Sequence, residues 1–396
     1  MKINRPLATL VLQALEEILF DKKFADKVIE KHLRAQKKWG PSTRKFFADS
    51  VYETVRWYRL LDFIANSNDL WRVLGASWLR QGFDLPPWKE FEGLSYDYLK
   101  RKEKQAASSF VVSQSLTDWM DKYGREQLGD DWESVIKALN KPNEAFLRVN
   151  FLKASPEDVI AALAPDEIVA EKISDEIPGA LRLKEKKNIF ATQAFRNGFF
   201  EMQDPGSQQI VPLLGVEPGQ RVVDACAGSG GKTLHMASLM KNKGRIIAMD
   251  VHDWKLHELK LRARRDGVDI IETRLIDSAK MIKRLEGQAD RLLLDVPCSG
   301  SGVLRRNPDT KWKLNEKEME RLQATQYEIL STYSSMTKKG GQMVYATCSV
   351  FPSENEQQVK RFLKEHGEEW SLVREIHLRP DKEGFDGFYG ALLRRG

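Results

Sequence analysis

The sequence predicts an α/β fold preceded by an all-α domain, and two patterns carry that prediction. Near the N-terminus, apolar residues recur with the 3.6-residue period of amphipathic helices. From about residue 200 onward, short apolar strands alternate with helical segments, as in a doubly wound sheet with a mainly parallel core. The boundaries expected are 1–140 for the helical domain, 141–198 for a small α/β segment and 199–396 for the larger α/β domain.

Composition and charge narrow the class of protein. Of the 396 residues, 41% are apolar and 30% are charged, which fits a globular chain with a sizeable core. The first residues lack the pattern of a secretory signal, and no apolar run approaches the ~18 residues that a membrane span needs. A cytoplasmic protein without a membrane partner is therefore expected. The net charge of +6 permits a nucleic-acid partner without requiring one.

The cysteines point to chemistry rather than to a structural role. The chain has three of them, Cys226, Cys298 and Cys348, and no Cys-x-x-Cys pair, so neither a disulfide framework nor a metal site is expected. Each lies beside a Gly, Pro or Ser turn that ends an apolar run. Structural cysteines are usually inert and buried, so three at strand ends are unexpected for packing residues.

The elements of the first half follow from local signals. Apolar residues between positions 7 and 19 predict a first helix, and a second helix is expected over 42–64. After a linker near residue 142, residues 145–150 predict a strand. Ser155 followed by proline is typical of a helix N-terminus, and this helix is expected to run to residue 163.

The second half alternates between strands and helices. A long helix is expected over 316–336. The expected strands are 221–224, 245–250, 270–276, 291–295, 341–347 and 387–393.

The first candidate site is the glycine-rich turn after the strand at 221–224. Glycines let a ligand approach the backbone, and the following helix N-terminus offers free N–H groups. A P-loop would need Gly at position 226, and a dinucleotide motif starting at Gly228 would need Gly or Ala at position 233, so both are excluded. The candidate ligand-binding residues of this turn are Cys226, Ala227, Gly228, Ser229, Gly230, Gly231 and Lys232.

Acidic residues end the strands that follow this turn, at Asp250, Asp277 and Asp295. An acid at the end of the second strand can accept hydrogen bonds from ribose hydroxyls. In open α/β sheets the ligand lies beyond the carboxyl ends of the strands, where these acids gather. The pattern therefore predicts that these acids contact a bound cofactor.

Two further segments combine thiols with basic and aromatic residues. In the first, Asp295 and Cys298 lie three residues apart at a strand end, and a Gly–Ser loop predicted to be flexible follows them. Basic residues and a tryptophan come next, a mixture suited to a nucleic-acid backbone and an exposed base. The second segment places Cys348 at the end of the strand after the long helix. The candidate RNA contacts are Arg305, Arg306 and Lys311.

Together the three segments resemble motifs I, IV and VI of the RsmB/NOP/Sun family of RNA cytosine-C5 methyltransferases. From Asp295 the chain reads Asp-Val-Pro-Cys-Ser-Gly-Ser-Gly and then Arg-Arg-Asn-Pro-Asp, and Ala-Thr-Cys-Ser-Val surrounds Cys348. The resemblance covers about residues 141–396. The helical region is similar to the NusB-like RNA-binding domain of bacterial members. In motif I the family commonly has Cys-Ala-Ala-Pro-Gly-Gly-Lys, where this chain has Cys-Ala-Gly-Ser-Gly-Gly-Lys.

The resemblance implies an enzyme with a Rossmann-like S-adenosylmethionine-dependent methyltransferase domain and an RRM-like small segment. It implies that Cys348 adds to carbon 6 of cytosine, that Cys298 assists release of the methylated product and that Asp295 holds the protonated N3 edge or the amino group of the base. The motif I turn, Asp250, Asp277 and Asp295 would bind the cofactor. DNA cytosine methyltransferases attack with the cysteine of a Pro-Cys motif, and by that analogy Cys298 would be the nucleophile, so both assignments stay open.

The expected partner is RNA, with small-subunit rRNA the first choice and tRNA the alternative. The target base would have to be single-stranded or flipped, because a stacked base is out of reach. A monomer is expected. A non-catalytic RNA-binding scaffold is the competing class. Such a scaffold would be expected to lose one of the two active-site cysteines or the strand-end acids, all of which are present.

Overall fold

The computed structural model describes residues 3–67, 69–185 and 187–396. The chain divides into two compact units. One contains the described residues up to Lys141 together with Val303–Glu318, and the other contains Pro142–Gly302 and Met319–Gly396. The segment Val303–Glu318, which the sequence placed in the larger α/β domain, is therefore part of the helical unit. Among the described residues, no helix is long and apolar enough to cross a membrane.

The helical unit is built on amphipathic helices whose apolar faces form more than one buried cluster. In the first helix Leu7, Val11, Leu15 and Ile18 are buried, at the three- and four-residue spacing that the sequence predicted. The helices are α1 (Arg5–Leu19), α2 (Ala25–Ala35), α3 (Pro41–Arg56), α4 (Tyr58–Ala65), α5 (Leu70–Arg80), α6 (Tyr96–Ala106), α7 (Phe110–Ser113), α8 (Asp118–Leu128) and α9 (Asp131–Leu139) and, from the second segment, α16 (Thr310–Lys313).

The helix predicted over 42–64 is two helices, because the backbone leaves the helical conformation at Trp57 (φ −110°, ψ 19°). A new helix start leaves backbone N–H groups without intrahelical partners. Here the Ser115 hydroxyl accepts from the N–H of Arg59 at 2.9 Å. A serine distant in sequence therefore stabilises the break, and local periodicity could not show it.

The small α/β segment forms its own antiparallel sheet in the order β2-β3-β1-β4. The last strand pairs with the first, with Met202 opposite Leu147, so this sheet extends past the predicted boundary at residue 198. The helix that follows the first strand has the predicted Ser155 cap, and Asp158 completes a capping box there. The elements are β1 (Ala145–Val149), α10 (Pro156–Leu163), β2 (Ala170–Lys172), β3 (Ala180–Leu183), α11 (Gln193–Arg196) and β4 (Phe200–Met202).

The larger sheet has seven strands in the order β10-β11-β9-β8-β5-β6-β7. Strands β9-β8-β5-β6-β7 are parallel, and β11 and β10 add antiparallel at one edge. The strands are β5 (Arg221–Asp224), β6 (Arg245–Asp250), β7 (Ile271–Leu275), β8 (Ala289–Asp295), β9 (Thr337–Thr347), β10 (Trp370–Leu378) and β11 (Phe388–Arg395). The helices are α12 (Pro205–Leu214), α13 (Gly231–Leu239), α14 (Asp253–Asp266), α15 (Ala279–Lys283), α17 (Glu316–Tyr333), α18 (Glu356–His366) and α19 (Pro380–Glu383).

The burial of this sheet explains why its parallel strands could be predicted from the sequence. Val222, Val223, Ile246, Ile247 and Leu292 are buried, as expected where helices cover both faces of a parallel sheet. The α/β prediction is confirmed. Strand order reverses at β5, which pairs with β8 on one side and β6 on the other. Ligands of open α/β sheets bind beyond the carboxyl ends of strands at such a switch point.

Candidate active site

A cavity of about 490 Å³ lies at the carboxyl ends of β5, β6 and β8. Its walls combine acids with aliphatic and aromatic side chains, including several from the second half of α17. The lining residues are Ala225, Cys226, Gly228, Asp250, Val251, His252, Lys255, Ile276, Ser278, Ala279, Ile282, Asp295, Pro297, Thr325, Glu328, Ile329, Thr332 and Tyr333. This mixture suits a ligand with one polar and one apolar part.

The glycine turn is held against the end of β6 by Asp250. One carboxylate oxygen accepts from the N–H of Gly228 at 2.9 Å, and the other accepts from the N–H of His252 at 2.8 Å. Gly228 and Gly230 have φ of +54° and +87°, the left-handed region that glycine adopts without strain. Asp250 therefore shapes the cradle as well as lining the cavity.

The structure brings four predicted cofactor residues to this cavity, namely Cys226, Gly228, Asp250 and Asp295. Asp277 is exposed and accepts from its neighbour Ser278 at 2.9 Å. Ile276 and Ser278 line the cavity in its place. Asp277 does not line the cavity, so the structure does not support its predicted contact with the cofactor.

The remaining residues of the turn hold it in place. Ser229 donates to Glu258 at 2.9 Å, and its carbonyl accepts from Arg262 at 2.7 Å. Gly231 begins α13, and Ala227 and Gly230 are joined by a 2.9 Å backbone hydrogen bond. The Lys232 Nζ lies 2.6 Å from the Asp295 Oδ2.

That ion pair links motif I to the end of β8. Asp295 is partly exposed at the cavity, whereas the Lys232 side chain is only 11% exposed. The largely buried lysine restrains this carboxylate through a 2.6 Å contact. Asp295 is thus held in one orientation at the edge of the cavity.

Cys298 and Cys348 meet because their strands are adjacent and parallel. Asp295 in β8 pairs with Ala346 in β9, and the two cysteines follow a few residues later. Their Sγ atoms are 3.2 Å apart and both residues are partly exposed. The hydrogen bond to the other thiol, together with burial, raises the pKa of Cys298 well above its ordinary value. The two sulfurs can therefore act on one substrate atom or on neighbouring atoms.

The sequence reading missed the group beneath these thiols. Glu354 is fully buried and accepts hydrogen bonds from the hydroxyls of Ser299 and Ser349, the residues that follow the two cysteines. The only sequence signal was an acid six positions after a cysteine, which is too common to single out.

The structure does not support the prediction that Arg305 and Lys311 contact RNA, because both side chains are buried. Lys311 is fully buried, and its Nζ donates to the carbonyl of Arg56 at 2.7 Å and to Asn140 at 3.1 Å. Arg305 is 5% exposed and donates to the carbonyl of Ala138 at 2.9 Å. Both side chains join segments of the helical unit, and their burial keeps them from reaching a phosphate. Arg306 is partly exposed and remains a predicted RNA contact.

The sheet order, the cavity at the switch point and the acids along its wall define the class of protein. This is a Rossmann-like S-adenosylmethionine-dependent methyltransferase domain, and S-adenosylmethionine is the cofactor of that class.

Comparisons with known proteins identify the family. A model for "16S rRNA methyltransferase RsmB/F" matches residues 211–394, and a model for the ferredoxin-like domain of the same group matches residues 116–190. Together with a relative that is 34% identical over 76% of this chain, these matches show that the chain belongs to the RsmB/F family of rRNA methyltransferases. The small sheet is accordingly ferredoxin-like, and the NusB-like character of the helical unit stays a prediction.

Individual relatives agree with this assignment. A protein of Bacillus subtilis (strain 168) named "Probable ribosomal RNA small subunit methyltransferase B" is 34% identical over 319 residues, covering 76% of this chain and 70% of the relative. A protein of the same name from Synechocystis sp. is 31% identical over 385 residues, covering 87% and 85%. The crystal structure of PH0851 superposes with a TM-score of 0.83 at 26% identity and covers the whole of both chains.

Proposed function

We propose that this protein transfers a methyl group from S-adenosylmethionine to carbon 5 of a cytosine in small-subunit rRNA, through a cysteine adduct. The observation that carries the proposal is the 3.2 Å separation of the Cys298 and Cys348 sulfurs, with Cys298 three residues beyond Asp295, which lines the cavity. Methylation of an exocyclic amine needs no thiol, whereas carbon 5 of cytosine is a poor nucleophile until a thiolate has added to the ring.

The cavity fits the cofactor. A Cβ added at Gly228 would meet nothing within 4 Å, so the turn is open where a ligand would lie. Each Asp250 oxygen accepts one N–H and keeps lone-pair capacity for a ribose hydroxyl. Ile276, Ile329 and Tyr333 supply an apolar wall for an adenine ring. When bound, S-adenosylmethionine supplies an electrophilic methyl group.

The chain's own residues perform the covalent steps. The Cys348 thiolate forms a bond to carbon 6, the C5=C6 electrons shift to give a C4=C5 enamine whose carbon 5 is nucleophilic, and N3 takes one proton from water. Asp295, oriented by Lys232, holds the N3 edge. After carbon 5 has taken the methyl group, a base removes its proton, the C5=C6 double bond re-forms as the Cys348 thiolate leaves, and N3 returns its proton to water. Cys298, once its own thiol has lost a proton, is the proposed base, because its sulfur lies 3.2 Å from the sulfur that holds the adduct.

Two measurements test this function. RNA carrying tritium at carbon 5 of cytosine should release tritium when purified enzyme and cofactor are added, because only substitution at carbon 5 displaces that atom. Methyl transfer without release would contradict the proposed chemistry. Bisulfite sequencing of RNA from a strain lacking the gene should show loss of one modified cytosine in small-subunit rRNA. A loss in tRNA would instead support the alternative substrate.

Substitution of each cysteine separates their roles. Without the release residue the adduct forms and persists, so Cys298→Ala should give a protein–RNA band that survives denaturation on a gel. Cys348→Ala should give neither a band nor product, because no adduct forms. The reverse pattern would make Cys298 the nucleophile, as in the DNA enzymes. A release residue and a nucleophile cannot share one phenotype, so equal behaviour of both variants would contradict the division of roles.

A further inference from the structure

We propose that Glu354 is a positioning residue that holds the Cys298 and Cys348 loops together so that both thiols face one cytosine. The relevance of that spacing to catalysis rests on the proposed function, but the spacing itself can be measured without any methylation. Nothing in the motifs of the sequence distinguished this carboxyl group.

Glu354 binds the residue that follows each cysteine. Its Oε2 accepts from the hydroxyls of both Ser299 and Ser349. Its Oε1 accepts from the backbone N–H of Ser299 at 2.8 Å. One side chain thus joins two loops that are about fifty residues apart in the sequence.

The residue that precedes Cys298 is bound to the same carboxyl group through Gln326. The Gln326 amide donates to the carbonyl of Pro297 at 3.0 Å and to Glu354 Oε1 at 2.8 Å. Cys298 is therefore fixed on both sides. Four donors reach the two oxygens: the N–H groups of Ser299 and Gln326 reach Oε1, and two hydroxyls, which can also accept, reach Oε2.

Burial of the Glu354 carboxyl group has a cost in folding free energy. Burying a carboxyl group is expensive, and an apolar replacement of similar volume is often more stable than a buried charged network. A nearby negative charge also works against thiolate formation: the charge of Glu354 is one contributor to the raised pKa of Cys298, after the Cys348 hydrogen bond and burial. A group that is costly to bury and unfavourable for a thiolate is explained by the geometry it enforces.

The test measures thiol spacing directly. Diamide oxidises two neighbouring thiols to a disulfide and is itself reduced to the hydrazine, so the rate at which the Cys298–Cys348 peptide pair appears by mass spectrometry reports how often the sulfurs meet. Glu354→Ala should slow this rate at least about tenfold. Under the proposed function it should also lower kcat by roughly 100-fold, the effect of a misplacement of about 1 Å, with KM for RNA and cofactor nearly unchanged.

Two variants control the measurement. Glu354→Gln keeps an oxygen acceptor in the same shape and should restore the crosslinking rate to near that of the wild type. Glu356→Ala removes a carboxyl two residues away that lies 4.0 Å from His377, outside this network, and should crosslink like the wild type. If Glu354→Ala does not fold, the double variant Ser299→Ala/Ser349→Ala removes two donors to the carboxyl group and should slow crosslinking too.

The outcomes are distinguishable from failure of the proposed function. A wild-type crosslinking rate in folded Glu354→Ala, or in the double serine variant, would overturn the positioning role whether or not any RNA is methylated. Slow crosslinking with restoration by glutamine would support the role even if carbon 5 of cytosine proved not to be the target. Slow crosslinking in the glutamine variant equal to that in the alanine variant would also overturn it, because shape would then not suffice.

Discussion

Two glycines of the motif I turn should tolerate alanine very differently, although both have positive φ. In Gly230→Ala the new Cβ would lie 2.0 Å from Cδ1 and 2.9 Å from Cγ of Leu259, a fully buried side chain. In Gly228→Ala the new Cβ meets nothing within 4 Å. The left-handed conformation costs alanine about 1–2 kcal/mol in both variants. Overpacking of a buried site adds roughly 1–3 kcal/mol in the Gly230 variant alone.

The two variants should differ in their free energy of unfolding. Gly230→Ala should be less stable than Gly228→Ala by about 1–3 kcal/mol, which corresponds to a Tm difference of several degrees for a domain of this size. Urea unfolding followed by far-UV circular dichroism measures it, with both variants prepared in parallel. In calorimetric titration with S-adenosylmethionine, Gly228→Ala should lose more affinity than Gly230→Ala, because Gly228 lines the cavity and its new Cβ would occupy open space there. Equal stability of the two variants would refute the packing argument.

Three further perturbations have expected outcomes. Asp250→Ala should weaken cofactor binding by about 10- to 100-fold, the range for losing hydrogen bonds to a charged group; unchanged affinity in a calorimetric titration would remove Asp250 from the ribose site. Burial raises the pKa of Asp224 from 3.8 to about 7, so the folded state binds a proton that the unfolded state releases. The stabilisation that this proton gives is complete below pH 4 and is lost as the pH rises through 7. Wild type should therefore lose up to roughly 3 kcal/mol more than Asp224→Asn between pH 5 and pH 8 in urea unfolding, and parallel losses would contradict this. Lys311→Met should destabilise the helical unit by about 1–3 kcal/mol because its carbonyl and amide partners lose their donor, while the salt dependence of RNA binding stays unchanged. Weaker RNA binding at unchanged stability would restore Lys311 as an RNA contact.

The parallel strands could be predicted because burial on both faces leaves a continuous apolar run that ends abruptly. Strands β5 and β6 begin and end at the predicted residues, and their terminal acids mark the ligand side of the sheet. Strand β10 escaped prediction because it is an edge strand whose residues are largely exposed, so it has neither an apolar run nor clear alternation. Its pairing with β11 supplies the stability that its own sequence does not signal.

Side-chain roles were harder to predict than strands, and Lys311 shows why. A lysine beside a tryptophan reads as a nucleic-acid contact when only neighbours in sequence are visible. In the structure Lys311 reaches acceptors on residues about 170 and 255 positions away. Those partners are defined by the tertiary fold, and their carbonyl and amide oxygens carry no signal in composition. The same holds for Glu354, whose donors come from three separate segments.

The loop after Cys298 shows how composition can mislead about mobility. Its Gly–Ser sequence predicts a flexible connection, yet Ser299 and Ser301 are buried and their hydroxyls are hydrogen-bonded. At its far end the N–H of Gly302 donates to the carbonyl of Cys348 at 3.0 Å, and a Cβ there would lie 2.3 Å from the carbonyl oxygen of Gly387. Small residues are needed because two backbone segments approach closely, not because the chain must move. A loop fastened at both ends keeps Cys298 beside Cys348 before any substrate arrives, so little of the free energy of RNA binding is needed to assemble the thiol pair.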